Sequence, residues 1–301
     1  MLCTWVCLWV SGCQTESVEK EQQASQEATR QASSGAPADG IRPEFEDIWP
    51  EQKLDFVYRN GRDANELAIL ETLGGGTAIL DYDRDGRLDL FYTGGGTFEN
   101  KTTRGYPSIL LRHTGQLKFQ DRTAQAGMGL AAFYSNGCSA GDYDNDGFQD
   151  LIVTGYGGSI LWRNMGDGTF EETSIDAGLR NCFWGSSAGW GDLNGDGLLD
   201  LYVAKSASQT NLFYKNWGYN FQRLTDNPTV QTASSSFSGT WVDYDGDFDQ
   251  DLFVTNSDRA NQLFENQGNG TFVEITSGAL VTDQGYSQGA SWGDYDNDGD
   301  L

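Results

Sequence analysis

An all-β fold, a β-propeller of four-stranded antiparallel blades, is predicted by three observations on this sequence. An acidic loop returns along the chain at a period near fifty residues, and an alternating strand-like run follows each copy. The composition is rich in Gly (39) and in Phe, Tyr and Trp, and poor in Pro (5). Such a mixture suits many short strands joined by tight turns. Long helices are not expected outside the N-terminal segment.

The chain opens with an apolar run from Leu2 to Val10. It is too short to span a bilayer and long enough for a secretory signal. Val10-Ser11-Gly12-Cys13 resembles the lipobox of bacterial lipoproteins, in which Cys13 would be acylated and become the mature N-terminus. Residues 1–13 are therefore expected to be a signal peptide, with export across the inner membrane and a lipid anchor at the cell envelope or outer surface. The run lacks a preceding Lys or Arg, which is atypical, and the rival reading is an apolar strand with a chance Cys. Residues 14–40 are Gln, Glu, Ser and Ala with almost nothing to bury, so they read as a disordered tether with a reach of roughly 30 Å. An amphipathic helix there would need more apolar positions than the segment has. Residues 41–301 carry the propeller.

Charge narrows the partners. With 19 basic against 44 acidic residues and a net charge of -25, the chain cannot neutralise phosphates, which excludes nucleic acid and an anionic membrane surface. Membrane contact is expected only through the lipid anchor. The acid balance points to cations.

The first acidic loop is Asp81-Tyr82-Asp83-Arg84-Asp85-Gly86-Arg87-Leu88-Asp89, and copies begin at Asp142, Asp192, Asp243 and Asp294, at intervals of 61, 50, 51 and 51 residues. A period near fifty signals a repeat architecture. After the loops come LDLFYT, QDLIVT, LDLYVA and DQDLFVT, rich in β-branched and aromatic residues. Each reads as a strand. Further on, SILWRNMGDGTFEET from Ser159, NLFYKNWGYNFQRLT from Asn211 and NQLFENQGNGTFVEIT from Asn261 each give a strand, a glycine turn and another strand. With the strand before the loop, every unit supplies four antiparallel strands, the makings of a blade. A solenoid would use shorter repeats without several hairpins in each.

Carboxylates at loop positions one, three, five and nine, with Gly at six for the sharp turn, wrap oxygen donors around one point. The candidate ligands are Asp81, Asp83, Asp85 and Asp89; Asp142, Asp144, Asp146 and Asp150; Asp192, Asn194, Asp196 and Asp200; Asp243, Asp245, Asp247 and Asp251; and Asp294, Asp296 and Asp298. An all-oxygen cage suits several structural Ca²⁺ ions, whereas zinc would want His or Cys. An EF-hand opens similarly but needs Glu at position twelve and a following helix. Position twelve here is Tyr92, Val153, Val203 and Val254, inside strand-like runs. The bland alternative is a set of hairpin turns that bind nothing. Against it, twenty of the 44 acidic residues lie in these loops, and each close pair repels by roughly 1–4 kcal/mol near a surface. A bound cation turns that repulsion into folding energy.

The copies differ. Asn194 removes one charge from the third loop, which predicts a weaker site, and Phe248 stands in the fourth loop where the others place Gly. The fifth copy stops at Leu301, before its ninth position, and the expectation is a chain cut within the motif.

These units resemble FG-GAP or VCBS repeats, the calcium-loop blades of integrin α-chains. The FG element is worn to Phe183-Trp184-Gly185, Phe237-Ser238-Gly239 and Tyr286-Ser287-Gln288-Gly289. Residues 54–92 resemble the opening of secreted proteins of the ASPIC/UnbV (cartilage acidic protein-like) family. The resemblance covers about residues 44–301 and implies calcium binding, about seven blades in a full protein with roughly five or fewer here, a further C-terminal domain, and roles in adhesion or extracellular assembly. It names no ligand.

Four smaller features complete the reading. Cys138 and Cys182, at non-equivalent places, are expected as buried free thiols, with a disulfide between them left open. Trp190, Trp241 and Trp292 each lie two residues before a loop, a register that favours packing between blades over sugar stacking. His113 lacks a catalytic cluster and reads as a surface histidine. The extra eleven residues of the first interval fall between Gly94 and Ser108. There Lys101, Arg104 and Tyr106 form a candidate loop for an anionic or glycan partner.

Two function classes follow. One is a calcium-binding extracytoplasmic module for adhesion, scaffolding or capture of an unknown extracellular protein or glycan, without catalysis. The other is a polysaccharide lyase or hydrolase on a calcium-stabilised propeller, for which the sequence offers no convergent acid/base pair.

Overall fold

Four sheets of four antiparallel strands, each pairing in chain order, succeed one another along the polypeptide. This computed structural model describes residues 46–179, 184–294, 296–299 and 301. The expected signal peptide with Cys13, the tether, Cys182 and Phe183 lie outside the described residues.

The first blade comprises Thr77–Leu80, Asp89–Tyr92, Ile109–Gly115 and Lys118–Asp121; the second Tyr134–Gly141, Asp150–Tyr156, Gly158–Asn164 and Phe170–Glu172. The third comprises Gly185–Gly191, Asp200–Lys205, Leu212–Asn216 and Phe221–Leu224, and the fourth Ser236–Val242, Asp251–Asn256, Gln262–Asn266 and Phe272–Ile275. Among the described residues helix is confined to short pieces such as Trp49–Gln52 and Ala279–Thr282. The propeller-like, all-β expectation therefore holds, as does the rejection of an EF-hand, because Tyr92, Val153, Val203 and Val254 all lie in second strands.

The second strands read as unbroken apolar runs because both of their faces are covered. Strand side chains alternate between faces, and Leu151 and Val153 join Leu80, Phe91 and Leu110 in the core between the first two blades. Ile152 points the other way, to Leu201, Val203 and Phe221. The same alternation sends Tyr202 and Ala204 to Leu252, Val254 and Phe264 of the fourth blade. Each such side chain contributes about 1.5–3 kcal/mol on full burial, so the inter-blade cores hold successive units together.

First strands of successive blades pack against one another, and their sequences, YSNGCSAG, GSSAGWG and SFSGTWV, are correspondingly small. A Cβ on Gly141 would lie 2.8 Å from the Trp190 ring. That glycine is what lets Trp190 of the third blade lie flat on Tyr143 of the second, with centroids 6.3 Å apart and planes 12° apart, and donate from Nε1 to the Ser139 carbonyl. Trp241 also packs on the preceding blade, edge-on to Tyr202 and tilted against Phe213. The Trp register is inter-blade packing, as its periodicity suggests. A register shift recurs at Ser135/Gly137, Gly185/Ser187 and Ser236/Ser238, a bulge near the start of each of these first strands.

The long first interval is ordered. Gly95–Glu99 and Thr102–Gly105 form a hairpin that pairs in parallel with Arg59–Asn60. Its turn is made by Asn100 and Lys101, with φ of 51° and 64°, the doubly left-handed geometry of a two-residue hairpin. Lys101 is exposed at the tip. Arg104 Nη1 pairs with Glu99 Oε1 at 3.0 Å, and the Arg59 guanidinium stands 5.0 Å over the Tyr106 ring. Two of the three side chains expected to meet a partner are thus already engaged within the chain.

Cys138 is a free thiol, partly rather than fully buried as a residue, and burial of its sulfur pushes it up to about 12. His113 is half-buried, stacked on Phe119 at 5.0 Å, and its Nε2 accepts from the Leu117 N–H.

Candidate metal centres

Each of the first four acidic loops follows a first strand, and all five are built on their own leading aspartate. Asp81 accepts the N–H of Asp85 on one oxygen and of Gly86 on the other, at 3.0 and 2.9 Å. Asp142 does so with Asp146 and Gly147, Asp192 with Asp196 and Gly197, and Asp294 with Asp298 and Gly299. These bonds need a left-handed residue at position six, and Gly86, Gly147, Gly197 and Gly299 have φ of 81°, 90°, 83° and 99°. The fourth loop keeps that turn without glycine. Phe248 has φ 74°, its ring is 95% exposed, and its N–H reaches Asp243 Oδ2 at 3.1 Å. Phe248 therefore strains the loop while keeping the position-six bond, and Asp243 Oδ1 takes the N–H of Gly246 at position four where the other loops use position five.

The folding of the loops gathers carboxylates. Ligand oxygens of Asp81, Asp83 and Asp85 lie within 4.8 Å of one another, as do those of Asp142, Asp144 and Asp146, of Asp243, Asp245 and Asp251, and of Asp294, Asp296 and Asp298. The third loop is different. Asn194 interrupts its acidic set, and the amide Nδ2 donates to Asp196 Oδ2 at 2.9 Å.

The ninth position has a second task that sequence did not reveal. Asp89, Asp150, Asp200 and Asp251 are buried, with 0–2% exposure. One oxygen of each accepts the N–H of loop position two, from Tyr82, Tyr143, Leu193 and Tyr244. The other accepts an N–H from the third strand, from His113, Asn164, Asn216 and Asn266, at 2.7–2.8 Å. Burial pushes these carboxyls up, to about 8 at Asp150 and about 6 at Asp89, Asp200 and Asp251, against the pull of those N–H donors. A nearby cation would favour the charged form. Of the four, Asp251 is the one whose oxygen joins a three-carboxylate group. Asp89, Asp150 and Asp200 stand beside their loops as braces, each oxygen keeping a second lone pair.

The donor set fits a hard cation. The loops offer carboxylate and amide oxygens, and two buried oxygens, Asp83 Oδ1 and Asp249 Oδ1, have no hydrogen-bond partner. Leaving a buried acceptor unpaired costs about 1–3 kcal/mol, and coordination to Ca²⁺ would satisfy both. Asp249, at loop position seven, was not among the expected ligands.

Sequence reasoning also missed the asparagines that end the third strands. Asn164 Nδ2 donates to the carbonyls of Tyr82, in the preceding loop, and Gln149; Asn216 does the same with Tyr143 and Leu199, and Asn266 with Leu193 and Gln250. The shared Asn-x-Gly of RNMG, KNWG and ENQG was the available signal, since Asn Oδ1 then accepts the N–H of Gly166 and of Gly218 two residues on, and of Gly270 four residues on.

The repeats have counterparts in known proteins. The family model described as FG-GAP-like repeat matches residues 81–153, 142–203, 192–254 and 243–301, more than half of the chain. Cartilage acidic protein 1 of Mus musculus is 25% identical over 270 residues, 82% of this chain and 42% of that protein. The Homo sapiens protein of the same name is 24% identical over 82% of this chain and 41% of its own length. The chain thus spans less than half the length of these relatives. Among solved structures, an Agrocybe aegerita lectin that recognises non-reducing terminal N-acetylglucosamine superposes with a TM-score of 0.43 and 20% identity, covering 70% of this chain and 53% of the lectin. The Photorhabdus luminescens Tc holotoxin pore gives 0.30 and 15%, covering 76% of this chain and 13% of its own.

Proposed function

The chain belongs to the FG-GAP-like repeat family, and from that premise we propose that it is a calcium-binding, extracytoplasmic propeller module that binds or scaffolds an extracellular protein or glycan. One observation carries the reading: groups of three carboxylates within 4.8 Å gather in four of the five acidic loops, at positions one, three and five in the first, second and fifth and at one, three and nine in the fourth, where like charges would repel without a cation to hold them. Calcium, with six to eight oxygen ligands, matches loops that offer oxygen alone.

The role is recognition, not turnover. The acidic side chains of the loops serve the turns, the braces and the ions, and among the described residues His113 is tied to Phe119 and Leu117. The hairpin tip at Lys101 is the proposed meeting point with an anionic or glycan partner, Arg104 and Tyr106 acting from behind it once their internal pairings open. Among the described residues no helix is long and apolar enough to cross a membrane, and the module is proposed to be held at the cell surface through acylated Cys13.

Calorimetric titration of the chelator-stripped chain with Ca²⁺, and thermal melts in calcium and in chelator, test the reading. Uptake of several ions and a melting point restored by calcium far better than by magnesium are expected. No uptake with an unchanged melt overturns it. Release of new sugar ends from a panel of anionic polysaccharides would replace the binding role with an enzymatic one.

A further inference from the structure

The residue just before the brace-bonded position of each third strand faces the acidic loop of its own blade, and its charge is not the same in every blade. Because the N–H of His113, Asn164, Asn216 and Asn266 is held by the ninth-position aspartate, the four preceding residues are register equivalents: Arg112, Arg163, Lys215 and Glu265.

In the first blade Arg112 spans two loop carboxylates, Nε to Asp83 Oδ2 at 2.5 Å and Nη2 to Asp85 Oδ2 at 2.9 Å. In the second, Arg163 spans Asp144 and Asp146 at 2.6 and 3.4 Å. The third blade uses a longer single contact, Lys215 Nζ to Asp196 Oδ2 at 3.8 Å. The fourth inverts the charge. Glu265 accepts from the Tyr244 hydroxyl, on the loop, at 3.4 Å, and from Gln267, so it adds a carboxylate to a loop that already holds Asp243, Asp245, Asp247, Asp249 and Asp251. Among the described residues no ion pair reaches that loop.

A fixed guanidinium between two carboxylates does part of the work of a divalent ion. It relieves their repulsion when no ion is bound, and it opposes an arriving cation. A glutamate at the same point does the reverse on both counts. We propose that this third-strand position sets each loop's dependence on the cation: the Asp243 loop requires it to hold its shape and binds it most tightly, while the Asp81 and Asp142 loops keep their shape without it. The inference rests on the calcium reading above and assigns Arg112, Arg163, Lys215 and Glu265 as tuning residues, none of which need touch the ion.

The test is a reciprocal charge exchange on the full chain, Glu265→Arg and Arg163→Glu, with Glu265→Gln as the mild variant in case reversal impairs folding. Each protein is titrated with Ca²⁺ by calorimetry and melted in chelator. Glu265→Arg should weaken the tightest class of sites by about tenfold or more and raise the melting point in chelator; Glu265→Gln should do both to a smaller degree. Arg163→Glu should add a tight site and lower the melting point in chelator. A wild-type chain that binds calcium, with variants that titrate and melt as it does, overturns this inference alone. A wild-type chain that takes up no calcium overturns the calcium reading first, and the inference with it.

Discussion

Asn216, fully buried at the end of a third strand, donates from Nδ2 to the carbonyl of Tyr143 at 2.7 Å, and so fastens the third blade onto the acidic loop of the second. Its backbone N–H is held by Asp200, and its Oδ1 holds Gly218. Asn216→Ala strands the Tyr143 and Leu199 carbonyls and should cost about 3 kcal/mol. Urea unfolding in calcium measures it. A loss below about 1 kcal/mol would mean that the bridge between blades contributes little.

Asp150 should matter with or without an ion. Its two oxygens hold the N–H groups of Tyr143 and Asn164, and Asp150→Ala leaves both donors buried and unpaired, offset in part by removal of a carboxyl that burial disfavours. We expect a net loss of about 2 kcal/mol in chelator and a larger one in calcium. Equal stability of variant and wild type in chelator would reduce Asp150 to a ligand alone.

Phe248→Gly should stabilise the protein. A non-glycine residue in the left-handed region costs roughly 1–2 kcal/mol, part of which the extra freedom of unfolded Gly returns, and a ring 95% exposed loses no packing. The expected gain is about 1 kcal/mol, read as a higher melting point. A destabilised variant would show that the ring has a partner that fixes it.

Cys138 reports on the seam between the first two blades, where it packs against their shared core. With its thiol pushed up to about 12, almost none is thiolate at pH 8, and the thiolate is the reactive form. In a chain whose other cysteines are replaced by serine, a thiol reagent should label the native protein at least about a hundredfold more slowly than the urea-unfolded one. Fast native labelling would mean that the seam opens readily.

The fold was legible where chemistry repeats locally. Loops, second strands and the hairpins that follow them each announce themselves within a dozen residues, and Trp190 and Trp241 disclose their packing by register alone. What stayed hidden depends on contacts between distant residues. Asn164 looks like a turn residue until Tyr82 is seen beside it, 82 positions away. Glu265 looks like a surface charge until its equivalence to Arg112 and Arg163 is fixed by the backbone bonds next door. The ordered hairpin at 95–105 was hidden because its third strand, Arg59–Asn60, comes from a segment without a repeat. Of the candidate site, sequence supplied the carboxylates. It could not supply the brace role of the ninth position, which needs the third strand in place.

Since each of the first three acidic loops is latched by the asparagine of the unit after it, the span that carries a whole seal runs from one loop to the end of the next unit's third strand, out of phase with the sheets themselves. A duplication or exchange cut at loop boundaries would hand on matched lock and key, whereas one cut between sheets would leave a loop without its latch. The natural unit of inheritance in this architecture is the joint, and the blade is what lies on either side of it.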